Sequence, residues 1–183
     1  MLAAYRDPWR IGDLDNDFDA STPCTVARRA SIAQGRALLG IWDRSFKPHF
    51  KSLYDRSCNE AIEALNQFQH DLRNPKDDEL PSNAHLAPLW GLVTRILRLP
   101  LEDAAYLFLF SHARTLTSAA VRASVFGPYQ AQAVLASAEL QSKIRHLMEE
   151  NWERSVEEAG QTVPVMDLWV GRHEKLYSRI FNS

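Results

Sequence analysis

Ala104-Ala-Tyr-Leu-Phe-Leu-Phe110 is the stretch that decides the fold. It is apolar at every position, so a helix built from it has no polar face to turn toward water. Glu102 and Asp103 precede it, acids placed where the positive end of a helix dipole favours them. Ser118-Ala-Ala-Val-Arg122 carries the element on toward a turn at Gly127-Pro128. Such a helix belongs at the centre of a bundle, and Ala104 to Val121 is expected to be the most buried element. Its longest run without a charge, Ala104 to Ala113, falls far short of the roughly 20 apolar residues that span a bilayer.

The flanking segments read as helices as well. From Thr22, the residues Val26, Ala30, Ala33, Ala37 and Ile41 recur at helical spacing. Ala27, Ser31 and Gly35 form a second stripe of small residues, which predicts a close helix contact. Pro48 opens a further helix that runs to about Arg73. Asn74 to Asn83 is a loop by composition. A short apolar helix follows over His85 to Arg98. Pro128 opens a long amphipathic helix with Val134, Ser137, Gln141 and Ile144 on one face, and Gly160 stops it. Pro164 starts a last helix. No window alternates with period two for long enough to make a convincing strand. The expected fold class is therefore all-α, a single-domain helical bundle of about six helices.

Residues 1–21 read differently. Asp13, Asp15, Asp17 and Asp19 alternate, but a calcium loop would need Gly at its sixth position and Glu at its twelfth, where Phe18 and Cys24 stand. The segment reads as an acidic, solvated and mobile lead-in to a helical domain over 22–183.

Composition narrows the function. The net charge of −2 gives no general electrostatic reason to bind nucleic acid or an anionic membrane. Seven glycines in 183 residues argue against Gly-rich phosphate loops. Two cysteines, Cys24 and Cys58, make neither a disulfide framework nor a CxxC pair. The opening MLAAYRDPWR has no basic region followed by an apolar run, so no secretory signal is read there. These features predict a soluble, cytoplasmic protein.

No catalytic constellation emerges. Gly35 and Gly40 have P-loop spacing, but Ile41 and Trp42 follow where Lys and Ser or Thr are required. His173-Glu174 lacks the second histidine of a zinc-protease motif. His49, His70, His85, His112, His146 and His173 lie on separate elements, with no two at helical ligand spacing, so no tight metal site made by a single chain is expected, and a site assembled from separate helices or at a symmetric dimer interface stays open. His112 reads as a hydrogen-bonded core histidine. Arg114 and Arg122 on the same helix need buried partners or line a polar cavity. By chemistry alone the chain reads as a helical binding or scaffolding protein and not an enzyme, with a generic interaction adaptor or another bundle-type regulator as the alternative.

Four segments in series add a resemblance: Val26-Ala-Arg-Arg-Ala-Ser-Ile-Ala-Gln-Gly-Arg-Ala-Leu-Leu39, His85-Leu-Ala-Pro-Leu-Trp-Gly-Leu-Val93, the Ser118 to Arg122 helix closed by Gly127-Pro-Tyr-Gln130, and Arg172 to Ser183 with its Tyr-x-Arg-x-Phe-x-Ser ending. From about Thr22 to Ser183 the chain resembles the urease accessory protein UreF family, in its eukaryotic branch. The Pro-Val-Gly-Gly-Phe-Ser-type segment with which that family ordinarily opens is not found here. The resemblance implies a non-enzymatic, all-α homodimer that binds UreD (also called UreH). That pair recruits the GTPase UreG, docks on apo-urease and helps load nickel. It also implies that no cofactor is held tightly, nickel being handled by the complex. The carboxyl end, through Tyr177, Arg179 and Phe181, is expected to engage UreD.

Overall fold

Burial concentrates on the segment Leu86–Ile96, not on Ala104 to Val121. The computed structural model describes residues 1–50, 56–75, 80–160, 165 and 169–175. In chain order these form α1 (Leu2–Arg6), a 3-10 turn (Pro8–Arg10), α2 (Ile11–Ser21), α3 (Thr25–Ile41), a π turn (Trp42–Phe46), α4 (Lys47–Phe50), α5 (Arg56–Arg73), α6 (Leu86–Ile96), α7 (Leu101–Arg122), α8 (Pro128–Ala136), α9 (Ala138–Asn151), and 3-10 turns at Val156–Glu158 and His173–Lys175. No strand occurs among the described residues, and the fold is all-α. They fall into two compact units, one from Met1–Leu101 with Gly160–Leu176, the other mainly from Glu102–Ala159.

The first unit is organised around α6. Ala87, Leu89, Leu92, Val93, Thr94 and Ile96 are all buried, and α1, α2, α3 and α5 pack against the helix. Apart from Thr94 and Arg95 its residues are apolar, so only a helix surrounded by others can bury it. Pro88 falls in its first turn, where the missing N–H has no intrahelical role. The far end closes without glycine. Arg98 takes φ 60°, the Leu99 N–H donates to the Thr94 carbonyl at 3.1 Å and the Arg98 N–H to the Arg95 carbonyl at 3.0 Å. That pairing satisfies the last carbonyls as a Schellman cap does.

Residues 1–21, read from sequence as a solvated lead-in, are helical and packed. Ala4, Ile11 and Leu14 are buried, and so is Asp15. The Tyr5 hydroxyl donates to the Leu99 carbonyl at 2.6 Å, and Arg95 Nη1 donates to the carbonyls of Tyr5 at 2.7 Å and Arg6 at 2.8 Å. Alternation of the aspartates hid the helix: Asp15 and Asp19, four apart, share its inward side, while Asp13 and Asp17 are exposed.

On α3 the buried side runs through Val26, Gly35 and Leu39 to Trp42, whereas Ala27, Ala33, Ala37 and Ile41 are exposed. Of the apolar stripe expected from spacing, Val26 is buried and Ala30 half-buried, while Ala33, Ala37 and Ile41 face water. Alanine is small enough that leaving it exposed costs little burial energy. Beyond α3 the Lys47 N–H donates to the Trp42 carbonyl, an i to i−5 bond. This widening comes just before Pro48, whose ring in a regular helix would collide with the carbonyl four residues back.

In the second unit α7 buries only Ala104 and Ala105, while Leu107 and Leu116 are 39% and 71% exposed. The sequence pattern required a surrounded helix. Among the described residues of its unit the accompanying α-helices are α8 and α9, and two helices cannot cover all its sides. The expected long helix from Pro128 is broken at Ser137, which has ψ 140° and accepts from the Leu140 N–H at 3.2 Å, capping α9. The Gln130 side chain accepts from the Gly127 N–H at 2.9 Å, which explains the Gly-Pro-x-Gln pattern as a helix start. The helix expected from Pro164 lies mostly outside the described residues.

Two glycines of α3 have opposite surroundings. A Cβ on Gly35 would lie 2.0 Å from the Ala84 carbonyl oxygen, whereas one on Gly40 would meet nothing within 4 Å. Gly35→Ala is expected to destabilise the protein by roughly 1–3 kcal/mol through overpacking. Gly40→Ala should stabilise it by about 0.5–1 kcal/mol by restricting the unfolded chain. Urea unfolding of the two variants checks both signs.

Candidate functional site

The chemistry-bearing side chains of the first unit gather where α2 and α3 meet the entry to α6. Asp15 is fully buried on α2. Its carboxylate accepts three consecutive backbone N–H groups: Asn83 at 2.6 Å, Ala84 at 3.0 Å and His85 at 2.6 Å. Ala84 is held at φ 72°, a conformation that L residues adopt only when surroundings over-determine it. The twist lays the backbone of Ala84 and His85 against Gly35, the one α3 residue there without a side chain to obstruct it.

His85, the residue preceding α6, is fully buried in this junction. Its Nδ1 lies 3.1 Å from the Ser31 hydroxyl and its Nε2 3.0 Å from an Asp19 oxygen. Ser31 also accepts from the Leu86 N–H at 3.3 Å. A hydroxyl that donates to Nδ1 and a ring that donates from Nε2 to Asp19 satisfy every group. Arg28 Nε, 3.3 Å from the same Asp19 oxygen, completes the set, and the Phe18 ring lies 5.0 Å from the imidazole.

A second cluster sits at the amino end of α3. That end has no acid of its own in the first turn and carries Arg28 and Arg29, the wrong sign for a helix N-terminus. The missing acids come from elsewhere in the chain. Asp19 pairs with Arg28. Glu174 pairs with Arg29 Nη1 at 2.6 Å and accepts from the Thr25 hydroxyl at 2.7 Å. Beside them the buried Cys24 thiol caps α3, accepting from the Ala27 N–H at 3.4 Å, and lies 3.3 Å from His173 Nδ1. The turn His173–Lys175 is thus fastened to the start of α3.

The residues singled out by sequence are distributed unevenly over this picture. Of the small-residue stripe, Ser31 and Gly35 are at the α6 entry, and Ala27 is exposed. His112, Arg114 and Arg122 are all exposed on α7. His112 Nδ1 turns back to its own helix, 3.0 Å from the Phe108 carbonyl. Those three were assigned to an interior because α7 itself was. Tyr177, Arg179 and Phe181 lie outside the described residues. Among the described residues no three His, Cys, Asp or Glu side chains converge as a metal site would require. No described helix is long and apolar enough to cross a membrane. Asp15, Asp19, His85, Cys24 and Glu174 escaped the sequence reading. The i, i+4 spacing of Asp15 and Asp19 was the available signal.

The arrangement is that of an all-helical protein whose buried polar groups hold helices together rather than face a reaction cavity. Comparison with known proteins gives it a family. The UreF family model matches residues 1–139, so the match includes the segment that the sequence reading set aside. A Schizosaccharomyces pombe protein named as an uncharacterized urease accessory protein UreF-like is 34% identical over 183 residues, covering all of this chain and 73% of that one. Urease accessory protein 6 of Cryptococcus neoformans is 28% identical, over 95% of this chain and 63% of its own. Urease accessory protein F of Arabidopsis thaliana is 30% identical, over 93% and 63% respectively. The chain belongs to the UreF family. It spans about three-quarters of the fission-yeast relative and under two-thirds of the other two. No solved structure matches it.

The two clusters differ in how much they should carry. Asp15→Ala strands three backbone N–H groups and is expected to cost roughly 3–5 kcal/mol. Glu174→Gln breaks a half-exposed pair and should cost less than about 1 kcal/mol. Urea midpoints of the two variants, measured side by side, test that ranking.

Proposed function

We propose that this chain serves urease maturation as a non-catalytic accessory protein, a chaperone that assembles with UreD/UreH and the GTPase UreG on apo-urease and assists nickel insertion. The observation that carries this reading is the UreF match over most of the chain, shared with relatives named urease accessory proteins. The geometry supports a binding role: the Asp15, Ser31 and His85 groups are consumed by packing. Nickel in this reading is cargo of the complex, and the chain itself binds no cofactor tightly. It acts in the cytoplasm as a homodimer. The apolar side chains that α7, the following turn and the start of α8 leave in water, Leu116, Val125 and Tyr129 among them, support association with other chains. Tyr177, Arg179 and Phe181 contact UreD, aromatic residues and arginine being the residue types that anchor interfaces.

The test is capture of the host's UreD and UreG by the full chain. Arg179→Ala is expected to weaken capture of UreD about tenfold, the loss of a single interface anchor, with helix content and melting temperature unchanged. Deleting residues 177–183 should abolish urease activation in the host. A generic helical adaptor would capture neither partner, and host urease activity would not depend on it.

A further inference from the structure

On the first unit, α2, α5 and the segment 80–82 enclose an open cleft of about 350 Å3 that the functional reading does not use. Its floor is apolar and buried, formed by Ile11, Ala64 and Phe68. Trp9 and Leu80 stand at its sides, 52% and 76% exposed. Among the described residues, the titratable side chains that line it are Asp13 and Asp71, both acids. Asp71 already accepts from Gln67 Nε2 at 2.9 Å and lies 3.4 Å from His70 Nδ1. Asp13 is exposed and makes no hydrogen bond or ion pair among the described residues.

We propose that this cleft receives an arginine side chain presented by a partner protein. An apolar floor suits the methylene stem, which buries readily while its head stays polar. An indole wall suits a guanidinium through cation–π attraction. A free carboxylate supplies the charge-assisted hydrogen bonds that a planar fork makes best. An anion would meet two carboxylates, and a purely apolar ligand would strip water from them without return. The volume is at the lower end of ligand sites, enough for one long side chain and its peptide flanks, and too small for a helix about 10 Å across. A molecule resting on the floor would leave the rims of Trp9 and Leu80 wet. A protein surface around the arginine covers them, as the contacts ringing an interface anchor do. The proposal stands whether or not the chain serves urease.

The test uses the full chain with 15N-labelled tryptophan, the Trp9 indole resonance being assigned with Trp9→Phe. The probe is the blocked peptide acetyl-Gly-Arg-Gly-amide. Its addition is expected to move the Trp9 resonance with half-saturation at about millimolar concentration, as one weakly screened contact gives. The citrulline version, equal in shape but uncharged, should leave the resonance in place. Asp13→Asn should weaken the response at least threefold with the melting curve unchanged, and 0.5 M salt should weaken it too. Free arginine should bind less well than the peptide, because its own carboxylate meets Asp13 and Asp71. No movement with the arginine peptide, or equal movement with citrulline, overturns the proposal. Tighter binding of free arginine overturns it as well, and makes the cleft a small-molecule site.

Discussion

Everything in the first unit hangs on one carboxylate. Asp15 collects three successive backbone N–H groups from the strand-like approach to α6, and that approach could not otherwise be buried. Unpaired amide groups in an apolar interior are expensive. The same three bonds hold Ala84 in its left-handed conformation. Ala84 in turn swings His85 between Ser31 and Asp19 and sets the backbone down on Gly35. One acid on α2 thereby fixes the direction from which the central helix enters and, through Gly35, how near α3 comes to it.

A charge rule of the same kind operates at the start of α3. The local sequence there violates the helix dipole preference, with two arginines and no acid. Asp19, at the end of the preceding helix, and Glu174, far away in the chain, repair it. The repair by Glu174 is half-exposed and weak, that by Asp19 is shared with the buried imidazole, and the two ends of α3's first turn are consequently tied with unequal strength.

How much of this was legible in the sequence follows from what each signal measures. Periodicity located α3, α5, α6 and α7 well, because apolar spacing reports helical geometry directly. It misjudged the burial of α7, since an all-round apolar surface states what a helix requires and not how many neighbours arrive. Helix ends marked by Gly127-Pro128 were readable, while the left-handed caps at Arg98 and Ser124 use residues that carry no glycine signal. The α2 segment was lost because its four aspartates were weighed as charge, when two of them, spaced at one helical turn, face inward. His85 was one of six unremarkable histidines until the fold set Ser31 and Asp19 on either side of it. The close approach at Gly35 was anticipated as helix against helix. What approaches is the irregular backbone of Ala84 and His85, against which even a methyl group would collide.

The Asp15 bonds also set an order of events during synthesis. The acid is made first, and its three partners follow some seventy residues later. Until residues 83–96 have been added, α1, α2 and α3 have no central helix to surround and Asp15 has no donors to meet. The amino-terminal third of the chain must therefore wait, with its apolar sides uncovered, for a segment translated much later. Such long-range closure is slow and leaves the unfinished chain prone to stray association. This member of the UreF family is, by that geometry, itself in need of shelter while it is being made.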